Sequence, residues 1–184
     1  MQGWRTSIDG PYHIHLSVNI SPRQLLHGSI IEHVQKALAV SGLEPADLTL
    51  EITEGVLVEE AGASLAALEG LKALGVRIAI DDFGTGYSSL SYLSRLPIDV
   101  LKIDRSFVAD LGSSRQAAAL VRSIVMIGHT LHLETIAEGV ETDEQLDRLV
   151  RLGAKLGQGY LFARPLPARD LATLLRASRT PEAA

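Results

Sequence analysis

A chain of 184 residues that is 46% hydrophobic and 21% charged has ordinary globular composition, long enough for one sizeable core and too apolar for disorder. A formal charge of -5 argues against a nonspecific nucleic-acid binder, and no DNA partner is expected. The chain has no cysteine, which excludes disulfides and thiolate metal sites and suits the cytoplasm. No apolar run approaches the ~20 residues of a membrane span, so no direct membrane insertion is expected.

In chain order, short β-like runs alternate with longer amphipathic ones. Residues 13–21, HIHLSVNIS, alternate strictly and read as a strand. Residues 21–42 read as one helix, with Ser21 as N-cap, Pro22 in the first turn and Gly42 at the end. Residues 48–53, LTLEIT, read as a strand and 61–75 as a helix. The strand 76–81 ends in Asp81, runs into the loop DFGTGYSS that begins at Asp82, and precedes a short helix near 89–93. Strand 100–104 and helix 114–131 follow, then strand 134–139 and helix 142–153, then strand 155–162 and helix 167–178. Only the tail, residues 179–184, reads as loose, leaving residues 1–178 as the domain.

Repeated β–α units suggest a parallel sheet with helical crossovers, either doubly wound or a barrel. A doubly wound sheet needs two apolar faces. Here Ile14, Leu16, Val18 and Ile20 oppose His13, His15, Ser17 and Asn19, and Leu48, Leu50 and Ile52 oppose Thr49, Glu51 and Thr53. Ile78 and Ile80 oppose Arg77, Ala79 and Asp81, while Leu101 and Ile103 oppose Lys102 and Asp104. One apolar face and one polar face describe a (β/α) barrel with a wet mouth.

In such barrels chemistry sits at the carboxyl ends of the strands. Asn19, Glu51, Asp81 with Asp82, Lys102, Glu138 and Gln158 all fall there. Asn19, Glu51 and Asp81 face inward by the alternation, and Asp82 leans to the rim. Crowded carboxylates raise one another's pKa unless a cation sits among them. Asp, Glu and Asn oxygens suit Mg2+ or Mn2+, and paired ions of this kind clamp a phosphodiester and activate water. Lys102 then serves as a fixed positive charge and Glu138 as a general base. The competing account is a buried ion-pair network tying strands together, with Lys102 bonded to Glu51 or Asp81. Phe83, Tyr87 and Tyr160 flank the mouth, where they either stack a base or simply pack. His27, His33, His129 and His132 fall on helices or their ends and read as surface or capping groups.

The segments VNIS, LEITE, DDFGTGYSSL, LKIDRSFV, AEGVET and GQGYLFARPL occur in order. Together they resemble the EAL-type cyclic-di-GMP phosphodiesterase domain over about residues 4–171. The resemblance implies a modified (β/α) TIM-like barrel and hydrolysis of cyclic-di-GMP to the linear dinucleotide with Mg2+ or Mn2+. It implies metal binding by Asn19, Glu51, Asp81 and Asp82, and catalytic roles for Lys102, Glu138 and Gln158. It further implies that Glu54 braces the loop that begins at Asp82, that Glu141 completes the mouth, and that this loop carries a dimer contact.

The EAL motif itself, which in the family stands on an earlier strand, is absent from the sequence. About six of the eight strands of a closed barrel are present, so the barrel is expected to be incomplete and hydrolysis impaired by loss of a metal ligand. Two exposed sheet edges, an oligomeric protein, and an upstream sensor or cyclase domain in a longer parent chain are further expectations. A non-catalytic module that binds cyclic-di-GMP or a dimer partner is the alternative.

Overall fold

The computed structural model describes residues 14–55, 61–86, 90–167 and 170–171. Its strands are β1 (Leu16–Asn19), β2 (Leu48–Thr53), β3 (Arg77–Phe83), β4 (Val100–Ile103), β5 (Glu134–Ala137) and β6 (Leu156–Gly157). They pair in parallel in the order β1-β2-β3-β4-β5-β6. A doubly wound sheet reverses its strand order part-way. This one never does, and it curls as part of a (β/α) barrel.

The helices are α1 (Pro22–Leu26), α2 (Ile30–Ser41), α3 (Ala61–Ala73), α4 (Leu90–Leu93), α5 (Arg105–Ala109), α6 (Arg115–Thr130) and α7 (Asp143–Leu152). Local chemistry sets their ends. Ser21 accepts from Gln24 N at 3.3 Å while the Gln24 side chain accepts from Ser21 N at 3.0 Å, a reciprocal capping box. Thr142 and Gln145 repeat this at α7, and Gly42 and Gly153 close α2 and α7 in left-handed conformations.

Three elements depart from the expectation. The helix expected over 21–42 is two, α1 and α2, because His27 is extended and Gly28 interrupts the turn. A short helix, α5, follows β4, started by Asp104 as N-cap. The strand expected over 155–162 shrinks to Leu156–Gly157, since a Cβ at Gly159 would lie 2.2 Å from Val140 O and the chain must turn there. Of the helix expected over 167–178 only Asp170 and Leu171 lie among the described residues, both helical; the tail 179–184 lies outside them.

The convex face carries the core: Leu50, Ile52, Ile78, Ile80, Leu101 and Ile103 are each at most 2% exposed. They pack with helix residues such as Leu68, Leu71, Val121 and Ile124 in one cluster. Thr49, Glu51, Ala79 and Lys102, on the opposite face, are also buried, because the sheet curls over them. On β1 the apolar side is less covered than expected, with Val18 39% exposed at the sheet edge.

Candidate active site

Parallel register brings the strand ends level. Asn19 stands beside Glu51, Thr53 beside Asp81, and Ala137 beside Gly157. The backbone continues the alignment past the strands, with Glu138 N donating to Ile103 O at 3.1 Å and Gln158 N to Ala137 O at 2.8 Å.

Lys102 is the hub. Its Nζ donates to Glu51 Oε2 at 2.7 Å and lies 2.6 Å from Glu138 Oε1 and 2.9 Å from Asp81 Oδ1. Burial opposes the charge on Lys102, but contacts with Glu138, Glu51 and Asp81 outweigh it and hold the ammonium above its ordinary pKa. Glu138 is pushed up, chiefly by burial, with Lys102 opposing and Asp81 and Glu51 adding. Gln158 Nε2 donates to the same Glu138 Oε1 at 2.6 Å, so one oxygen carries both contacts.

Asp82 deviates from simple alternation. The pairing of β3 with β4 shifts between Ile80 and Phe83, and Asp82 has φ 53°, a left-handed conformation that Asp tolerates better than most residues. Asp82 is exposed at the rim as expected, yet the bulge turns it back toward the site. Asp81, Asp82 and Glu138 can each offer an oxygen within 4.8 Å of the others. Burial, a hydrogen bond with Asp104, and the charges of Asp81 and Asp104 raise the Asp82 carboxyl.

Asp104 is a site residue that was not singled out from the sequence. It accepts from Ser106 N at 2.9 Å and from Ser106 Oγ, and these bonds lower its carboxyl against the effect of burial. The signal was present: Asp104 sits two residues after Lys102 on the same face of β4.

Glu54 is buried just past β2 and accepts from Gly84 N at 2.9 Å and Gly86 N at 3.1 Å, which pins the loop after Asp82. Tyr87 in that loop lies outside the described residues, whereas Phe83 packs in the core. Beyond Glu138 opens a pocket of about 540 Å³ that Arg105, Glu141, Gln158, Tyr160 and Arg164 help to line. Glu51 lies outside the acidic trio, its Oε2 taken up by Lys102, and Asn19, beside Glu51 in the β1–β2 register, is exposed at the sheet edge. The four histidines read as surface groups are all exposed.

The donor set fits a hard cation. It is all oxygen, and Asp81 Oδ1 is buried near Lys102 Nζ yet outside hydrogen-bonding alignment, an acceptor still short of a partner.

The model of the EAL domain family matches residues 1–165. The chain belongs to the EAL domain family. It is 50% identical over 156 residues to the bifunctional diguanylate cyclase/cyclic di-GMP phosphodiesterase MucR of Pseudomonas aeruginosa, a match that covers 85% of this chain and 23% of that protein. The chain therefore spans under a quarter of that relative's length. Among solved structures, the PaMucR phosphodiesterase in complex with c-di-GMP superposes with a TM-score of 0.83 at 50% identity, covering 85% of this chain and 64% of that one. The manganese/cy-diGMP complex of Klebsiella pneumoniae BlrP1 superposes with a TM-score of 0.77 at 36% identity, covering 82% of this chain and 39% of that one. These EAL neighbours share the barrel, and among the described residues no helix is long and apolar enough to cross a membrane.

Proposed function

We propose that this EAL domain hydrolyses cyclic-di-GMP to the linear dinucleotide in a divalent-cation-dependent reaction. The observation that carries the reading is the Lys102 ammonium held within 3 Å of Glu51, Asp81 and Glu138, with Asp82 beside them, at the carboxyl ends of the strands. Asp81 and Asp82 would hold Mg2+ or Mn2+, with Asn19 and Glu51 nearby, and Glu138 would stand beside the cation as the base. The cation supplies charge neutralisation for the phosphodiester and a lowered pKa for water.

The residues of the chain do the rest. Lys102 holds Glu51, Asp81 and Glu138 in place and keeps a positive charge where negative charge develops on the phosphoryl oxygens. Glu138, whose carboxyl burial raises above its ordinary range, is placed to take a proton from water, and Gln158 fixes its orientation through Oε1. In the net step an oxygen of water bonds to phosphorus, one P–O ester bond breaks, one water proton passes to Glu138, and the departing oxygen is protonated from solvent. Glu54 keeps the loop after Asp82 in register with the site. That loop as a dimer contact, a cytoplasmic setting, and a sensor or cyclase domain on a longer parent chain belong to the same reading.

The test is incubation of the purified chain with cyclic-di-GMP and Mg2+ or Mn2+, following the linear product, with Glu51→Ala and a chelator as controls. Product that disappears in both controls supports the reading. A folded chain that binds the dinucleotide and yields no product is instead a non-catalytic binding module.

A further inference from the structure

The acidic centre alone is a poor host for an anion. Glu51, Asp81 and Glu138 converge on one ammonium, with Asp82 and Asp104 beside them, in a chain of formal charge -5. Beside them, Arg105 and Arg164 both line the pocket of about 540 Å³ that also contains Glu138 and Gln158. Among the described residues neither guanidinium has a carboxylate within ion-pair distance, although carboxylates are plentiful on this rim. Cations left without partners next to an acidic centre are placed for something that arrives from outside.

Both arginines are also held. The Arg164 guanidinium lies 4.7 Å from the centroid of the Tyr160 ring, a cation–π stack that presents its N–H groups as a flat fork. Arg105 begins α5, and its Cβ sits 2.7 Å from where a side chain on Gly139 would start. Only a glycine, here at φ 68°, lets the turn after Glu138 close onto Arg105. The position of Arg105 is thereby tied to that of Glu138.

We propose that Arg105 and Arg164 hold the second phosphate of the cyclic dinucleotide, the one that is not at the acidic centre. The proposal rests on the cyclic-di-GMP reading and deepens it. A cyclic dinucleotide carries two phosphodiesters in one ring, so when one lies at Lys102 and the carboxylates the other must lie in an adjoining space. Guanidinium forks match phosphate oxygens two at a time, and the pocket has the volume of an ordinary small-ligand site. The pair would thus select diesters that carry a second anionic group over simple ones.

The experiment measures binding of cyclic-di-GMP, with Ca2+ as the cation, at low and high salt. It compares the wild-type chain with Arg105→Met/Arg164→Met and Arg105→Lys/Arg164→Lys. We expect the methionine pair to weaken binding about tenfold or more and to flatten its salt dependence, since a charge-assisted contact is lost. The lysine pair should keep the salt dependence. Arg164→Met alone, at an exposed position, gives the answer if the double variant melts early. Wild-type affinity in the methionine variants overturns the proposal, as does weakened binding with an unchanged salt dependence, which would mean a contact to a base. A wild-type chain that binds no cyclic-di-GMP overturns the underlying reading itself.

Discussion

Lys102 and Glu51, on strands separated by β3, meet at 2.7 Å with side chains only 5% and 8% exposed. Replacing Lys102 by Met leaves Glu51, Asp81 and Glu138 buried together without their cation. Breaking a buried ion pair from one side typically costs about 3–5 kcal/mol, so Lys102→Met should lose several kcal/mol in urea unfolding at neutral pH. The loss should shrink at acid pH, where the carboxylates take up protons. A variant as stable as the parent would mean that the ammonium is not what holds these strand ends together.

The same ammonium gives an alkaline signature. Its folded pKa lies above the ordinary 10.5, so its contribution is complete below 10.5 and is lost only as pH rises through the folded value. Thermal melting of wild type against Lys102→Met should therefore converge above pH 10.5 and not between pH 7 and 9.

Cation binding should carry the opposite pH dependence. The Glu138 and Asp82 carboxyls are raised above their ordinary 4.5 and 3.8, so in the cation-free chain their protonated forms persist to higher pH than in the unfolded chain. Their share of stability is present below those ordinary values and is lost as pH rises through the folded ones. Mn2+ needs the ionised forms and must displace these protons. Titration calorimetry in buffers of different ionisation enthalpy should show proton release that is largest at acid pH and fades as pH rises. The rise in melting temperature on adding Mn2+ should be larger at pH 8 than at pH 5.

Glu54 has no part in the acidic trio, yet its Oε2 takes both Gly84 N and Gly86 N. Glu54→Ala removes two charge-assisted bonds, each of which contributes about 1.5–3 kcal/mol. We expect faster hydrogen exchange at the Gly84 and Gly86 amides and a fall in phosphodiester turnover larger than any change in cyclic-di-GMP affinity. Unchanged exchange at those amides would count against Glu54 as the brace of the loop.

Gly159 has no room for a side chain: a Cβ would lie 2.2 Å from Val140 O and 2.3 Å from Val140 N, both rigid backbone. Gly159→Ala should push the Gln158 turn away from the Glu138 segment and break the 2.6 Å contact between Gln158 and Glu138. Both stability and turnover should drop, measured by thermal melting and by linear product formation. Gly62→Ala, with nothing within 4 Å, is the control that should be neutral or slightly stabilising.

The sequence by itself determined the β–α order, the one-sided strands and the polar residues waiting at the strand ends. Those follow from periodicity, since a period of two sorts a strand's side chains onto two faces before any contact forms. It was enough to place Glu51, Asp81, Lys102, Glu138 and Gln158 at one mouth, and the ordered motifs were enough to identify the family. Only the tertiary structure decided which of them touch. The bulge that brings Asp82 back toward Asp81, the recruitment of Asp104, and the capture of Glu51 by Lys102 depend on how far β3 and β4 slip past each other. The shortening of β6 answers instead to Val140 packing on Gly159. Local pattern is a property of neighbours along the chain, whereas these contacts join residues tens of positions apart, where only the folded backbone sets the distances.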